Sequence, residues 1–217
     1  MVRITALCVF SAVTAIGCVN AVEDEGAVMG AGNFDNDEKA MTASCAPGST
    51  VKGIDVSYYQ SSINWSQVAG DGVKFAFVRV SDGANFNDSK FAANWSGTKN
   101  AGVIRGAYQF FRSNQDPIAQ AQLLESKIGQ LQDGDLPPVI DVETADGQSG
   151  ATIAHKVDQW LNHVENALGV RPIVYTGPYF WRDTVGGADE SASPLWVAHY
   201  GTNCPLVPPA WTEWTFH

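Results

Sequence analysis

The 217-residue sequence is short of charge, and what it has is mostly of one sign. It carries 13 Lys and Arg against 23 Asp and Glu, for a formal net charge of −10. No basic stripe or cluster is present, which argues against nucleic-acid binding, since that needs grouped Lys and Arg. There is no apolar run long enough to span a bilayer; the longest, Ile4 to Ile16, is too short. Cysteines number four, with no CxxC and no His–Cys cluster, so no zinc site is indicated. A glycine-rich nucleotide loop after the first strand is also missing. His155, His163 and His199 lack a Ser or Cys nucleophile in a recognisable context, so no triad is built from them.

What is present begins with an export signal at residues 1–21. Arg3 supplies a small positive start, and the short apolar run follows. Two cleavage readings stand side by side. Val19-Asn20-Ala21 offers small residues for ordinary cleavage, whereas Ala15-Ile16-Gly17-Cys18 is similar to a bacterial lipobox, with Cys18 as a lipid anchor. Either places the chain outside the cytoplasm or in the cell envelope. Residues 22–49 are rich in Gly, Ala, Asp and Glu and lack apolar periodicity, as a flexible acidic linker would. Cys45 and Cys204 remain beyond the leader. They could close one disulfide or stay as two buried thiols, and spacing alone does not choose.

From residue 50 to 217 short apolar runs alternate with longer segments of helical character, as in one folded domain. Strands are expected at Val51–Ser57, Phe75–Ser81, Val103–Phe110, Pro138–Glu143, Pro172–Thr176 and Leu195–Tyr200, and Trp211–Phe216 begins another. Helices are expected over Ser89–Ala101, Pro117–Gln130 and Ile153–Leu168. Asp116 caps the second, and Pro117 suits its first turn. Ile153, Val157, Trp160, Leu161, Val164 and Leu168 form a helical stripe, most simply a core-facing surface. Repeated strand–helix–strand units predict an α/β fold with a parallel sheet, in the form of an irregular β/α (TIM-like) barrel. In such barrels functional groups sit at the C-terminal ends of the strands.

Two of these strand ends carry acids. Asp55 lies in Gly53-Ile54-Asp55-Val56-Ser57, and Asp141 and Glu143 lie in Pro137-Pro138-Val139-Ile140-Asp141-Val142-Glu143. Residues two apart share a strand face, about 6.5–7 Å apart along the strand. Two half-buried carboxylates on one face repel, which raises one pKa. Glycoside hydrolysis needs one acid to donate a proton and one carboxylate to stabilise positive charge. An isolated Asp-x-Glu is more often structural, and three carboxylates can also hold a hard cation. Tyr108, Tyr175, Trp196 and Tyr200 lie at neighbouring strand ends, where aromatic rings stack on sugar faces.

With these residues in place, the chain resembles the glycoside hydrolase family 25 lysozymes, the N-acetylmuramidases. The resemblance runs in order through Gly53-Ile54-Asp55-Val56-Ser57 with Gln60, Phe77-Val78-Arg79-Val80-Ser81-Asp82-Gly83 with Phe86 and Asp88, Gly106-Ala107-Tyr108, the Asp141 segment, Val174-Tyr175-Thr176, and Leu195-Trp196-Val197-Ala198 with Tyr200. It implies cleavage of the β-1,4 bond between N-acetylmuramic acid and N-acetylglucosamine in peptidoglycan. It implies Glu143 as general acid/base, Asp141 as the stabilising carboxylate that orients the 2-acetamido group, and Asp55 as a positioning group. It implies no cofactor and no metal, and a monomer is the expected state. The family usually has Lys and Glu at the places of Arg79 and Asp82. It also continues past Trp214 to a further active-site Asp, so the chain as given is expected to be one acid and one closing strand short. A chitinase-like barrel is the second reading, although Val139 stands where that group has an additional Asp. A non-catalytic wall-binding module is the third.

Overall fold

The computed structural model describes residues 3–6 and 40–217. Both cleavage readings, Cys18 and most of the acidic linker lie outside the described residues. In chain order the elements are β1 (Arg3–Ala6), β2 (Thr42–Ala43), β3 (Thr50–Val56), α1 (Trp65–Gly70), β4 (Phe75–Asp82), β5 (Phe86–Asn87), α2 (Phe91–Asn100), β6 (Ile104–Phe110), α3 (Pro117–Ile128), β7 (Val139–Asp141), α4 (Gly150–Leu168), β8 (Ile173–Thr176), β9 (Leu195–Val197) and β10 (Leu206–Val207). The main sheet runs β1-β3-β4-β6-β7-β8-β9, all parallel, and curls into a half-barrel with β5 antiparallel on β4. The last expected strand is reduced to a single parallel bridge, Trp196 to Phe216.

The helices start where local chemistry predicts. The Asp116 carboxylate accepts the Ala119 N–H at 2.8 Å, with Pro117 in the first turn of α3. Ser149 caps α4, and Gly169 closes it in the left-handed conformation at φ 72°. The stripe Ile153, Val157, Trp160, Leu161 and Val164 is buried against the outer face of the sheet, among Ala76, Val78, Ile140 and Val174.

A second, smaller cluster fills the concave side: Phe75, Phe77, Val139, Ile173, Trp196 and Phe216. Two glycines make room for its rings. A Cβ at Gly53 would lie 1.9 Å from the Phe75 ring. One at Gly106 would lie 2.4 Å from the Phe77 ring and 3.2 Å from the Leu136 Cβ. Both rings are fully buried, so they have nowhere to retreat. Gly106→Ala is therefore expected to destabilise the fold by about 1–3 kcal/mol, read as a lower urea midpoint at unchanged slope.

The end of the acidic linker is docked, contrary to its reading as a free tether up to residue 49. β2 pairs antiparallel with β10, the Ser44 N–H donates to the Pro205 carbonyl, and Cys45 is bonded to Cys204. That disulfide joins residues 159 positions apart and so restricts the unfolded chain strongly. Sequence composition indicated flexibility because two-residue strands carry no periodicity. The residues Arg3–Ala6, read as part of a leader, run as β1 along the edge of β3.

Candidate functional site

Strand alternation builds the site in two layers. On the concave face Gly53, Phe77, Gly106, Val139 and Ile173 form the apolar floor. The next residue on the same face of each strand is Asp55, Arg79, Tyr108, Asp141 and Tyr175. Register brings these together laterally. Tyr108 lies opposite Arg79, and Asp141 lies opposite Tyr175, itself opposite Trp196. The strand reading of Pro138–Glu143 is shortened to Val139–Asp141, so Glu143 lies in the loop beyond β7, two residues past its end.

Asp141 is buried, and its Oδ1 has no hydrogen-bond partner among the described residues. Burial pushes its carboxyl well above the ordinary range. Glu143 and Asp55 push it further, while Arg79 opposes them. Glu143 is exposed, yet the protein around its carboxyl is dense enough that desolvation is the main cause of its upward shift. Asp55 adds to that shift, and Arg112 opposes it. Asp55, Asp141 and Glu143 thus form one electrostatic group. Among the described residues no set of three or more His, Cys, Asp or Glu side chains is disposed to hold a metal ion.

The predicted aromatics divide. Tyr108 and Tyr175 stand beside the acids. Burial first, then Asp55 and Asp141 for Tyr108 and Asp141 for Tyr175, raise both phenols, so each keeps its proton as a donor. The Tyr175 and Tyr200 hydroxyls are 3.4 Å apart, and Tyr200 is exposed. Trp196 takes a different place. It is 4% exposed, stacked on Phe77 at 4.5 Å and edge-on to Tyr175 at 4.7 Å, so it supports the groove from below.

A second aromatic wall, of which only Phe86 was named from the sequence, lies on the opposite side. Tyr58 and Tyr59 stack at 4.2 Å, and Phe86 is 5.5 Å from Tyr58. Ser57 and Gln60 set the turn that presents the two tyrosines. The Gln60 amide oxygen accepts the Ser57 N–H, and the Ser57 hydroxyl accepts the Tyr59 N–H. The Arg79 guanidinium lies beneath all three rings, its carbon 5.0 Å from the Tyr58 centroid, while its Nε donates to Asp88 at 3.0 Å. With Asn85 and Gln115 these residues line a cleft of about 320 Å³. Two adjacent tyrosines directly after a strand end were the available sequence signal.

The departures at Arg79 and Asp82 each find a partner. Arg79 pairs with Asp88, and Asp82 receives Nε and Nη2 of Arg112 at 2.5 and 2.9 Å.

The model of the family "Glycosyl hydrolases family 25" matches residues 54–217. Lysozyme M1 of Streptomyces globisporus is 38% identical over 181 residues, which is 77% of this chain and 61% of that protein. The chain therefore spans about three fifths of that relative's length. Among solved structures, a bacterial lysozyme from Streptomyces coelicolor superposes with a TM-score of 0.74 at 34% identity, covering 77% of this chain and 83% of that one. A family GH25 lysozyme from Aspergillus fumigatus gives 0.73 at 26% identity, covering 76% and 86%.

Proposed function

This chain belongs to the family 25 glycosyl hydrolases, and on that premise we propose that it hydrolyses peptidoglycan at the β-1,4 bond between N-acetylmuramic acid and N-acetylglucosamine. The observation that carries the reading is the interacting pair Asp141 and Glu143, both lifted above the ordinary carboxylate range between two aromatic walls. Such a pair holds one proton well above the pH at which separate acids lose theirs. Burial draws that proton toward Asp141 in the free protein. A bound sugar changes the balance, because its acetamido N–H can donate to the Asp141 carboxylate. A hydrogen bond to the charged form favours it, so Asp141 ionises and the proton resides on Glu143.

Glu143 then gives the proton to the glycosidic oxygen as that oxygen leaves C1. Asp141 holds the acetamido group so that its carbonyl oxygen meets the positive charge developing at C1. Water adds at C1 and returns a proton to Glu143. Asp55 positions the sugar and sustains the raised pKa values of its neighbours. Tyr58, Tyr59 and Phe86 on one side, and Tyr175 and Tyr200 on the other, stack on the sugar rings. Export from the cytoplasm is supported by the Cys45–Cys204 disulfide, which persists in oxidising compartments.

The test is product analysis on purified peptidoglycan. New reducing ends on N-acetylmuramic acid are expected. Reducing ends on N-acetylglucosamine, or binding with no cleavage, would overturn the reading.

A further inference from the structure

The loop that carries Glu143 is tied to its surroundings through Arg112 and Ser113. Arg112 follows β6 by two residues. Its Nε and Nη2 reach both oxygens of Asp82 at the end of β4, and its Nη1 donates to Asp146 Oδ1 at 3.2 Å. The guanidinium carbon lies 4.6 Å from the centre of the Phe110 ring, which limits its movement. One cation thus joins the ends of three neighbouring strands.

Asp146 itself is held in an unusual way. It has φ 44°, in the left-handed region that few non-glycine residues enter. Four groups keep it and its loop there. Asp146 Oδ2 accepts the Ser113 N–H at 3.1 Å, and Oδ1 accepts the Thr144 hydroxyl at 3.2 Å as well as Arg112. The Ser113 hydroxyl donates to the Ala145 carbonyl at 2.7 Å. Ser113 is anchored in turn, since Lys156 on α4 donates to its carbonyl at 2.7 Å. Thr144, Ala145 and Asp146 directly follow Glu143, so these contacts fix the backbone from which the Glu143 carboxyl projects.

We propose that Arg112 is a positioning residue for Glu143: clamped between Asp82 and Asp146, it fixes the loop presenting that carboxyl and sets a cation beside it. This rests on Glu143 being the proton donor. The charged and titratable groups facing Glu143 are Asp55 from β3, Asp141 from β7, Tyr175 from β8 and Arg112 after β6. Arg112 is the cation in that set, and it draws the Glu143 pKa down against burial and Asp55. A buttress that merely held the loop would carry no such signature.

The experiment follows the Glu143 carboxyl by carbon-13 NMR titration in the full chain, assigned by its loss in Glu143→Gln, alongside the pH profile of wall cleavage. Arg112→Gln is expected to raise the Glu143 midpoint and the alkaline limb of kcat, which reports the complex in which Glu143 holds the proton, by roughly 0.5 pH unit, the scale of a partly exposed ion pair. It is also expected to lower kcat about tenfold, with KM within about twofold. Arg112→Lys keeps the charge without the fork, so it should restore the midpoint but not kcat. Asp146→Asn removes an anion and should move the midpoint down, the opposite direction. Equal loss of activity at every pH, with unmoved midpoints in Arg112→Gln and Asp146→Asn, would overturn the proposal. If Arg112→Gln does not fold, Arg112→Lys and Asp146→Asn decide it. The titration needs no turnover, so an inactive wild type would overturn the muramidase reading and leave the Arg112 contact measurable.

Discussion

Glu143→Gln should lower kcat/KM for wall cleavage by at least about 10³-fold, within the range attributed to a positioned proton donor. The substitution keeps the shape of the side chain and removes the transferable proton. Glu143 is exposed and has no packing role, so the melting temperature should not fall. The measurement is the initial rate of clearing of a wall suspension and of reducing-end release, with thermal unfolding beside it. Residual activity above a tenth of wild type would move the donor role elsewhere, first to Asp141, the more buried member of the pair.

Asp141→Asn should cost about 10²–10³-fold in kcat, the loss expected when a preorganised group facing developing charge is removed. It should also do something a structural lesion does not, which is to raise the melting temperature at pH 7. The folded-state pKa of Asp141 is raised above its unfolded value, chiefly by burial. The folded state therefore holds the proton more tightly. The stability that this proton contributes is fully present below the unfolded pKa and is lost as pH rises through the folded pKa. At pH 7 the buried site bears that loss, with one oxygen unpaired, a cost of about 1–3 kcal/mol for such a group. Asparagine has no titrating proton and so escapes that loss, and the gain should be present at pH 7 and absent near pH 4. A melting temperature that falls equally at both pH values would sink this account of the site.

The same shifts predict the shape of the activity profile. One proton on the pair is required. Activity should fall in acid, when both carboxyls are protonated. It should fall again in alkali, at a pH above the ordinary carboxylate range, when the pair loses its last proton.

Much of this was legible along the chain. The Asp141–Glu143 spacing, the Asp116 cap with Pro117, and the apolar stripe on α4 depend on contacts within a few residues, and period and spacing report those directly. The two-layer site was also half visible, since each acid or tyrosine stands two residues beyond an apolar or glycine position on the same strand face. Other features were not visible. Trp196 has the composition of a groove residue, but its ring packs down onto Phe77 because the concave face needs filling there. Tyr58, Tyr59 and Phe86 form one wall only once β5 folds back on β4. Arg112 carries no motif of its own, and its two partners lie 30 and 34 residues away.

The ordered motifs of the sequence carried the resemblance to the family, while alternation and local spacing determined the parallel α/β order and the placing of Asp141 and Glu143 together at one strand end. Only the tertiary structure decided that Cys45 meets Cys204, that the linker's end is docked, and that Asp141 is buried with an unpaired oxygen while Glu143 stands open. Proximity across the chain and burial are collective properties of the packed sheet. They set which of two chemically similar carboxyls is the more deeply buried, the difference on which the proposed division of roles rests.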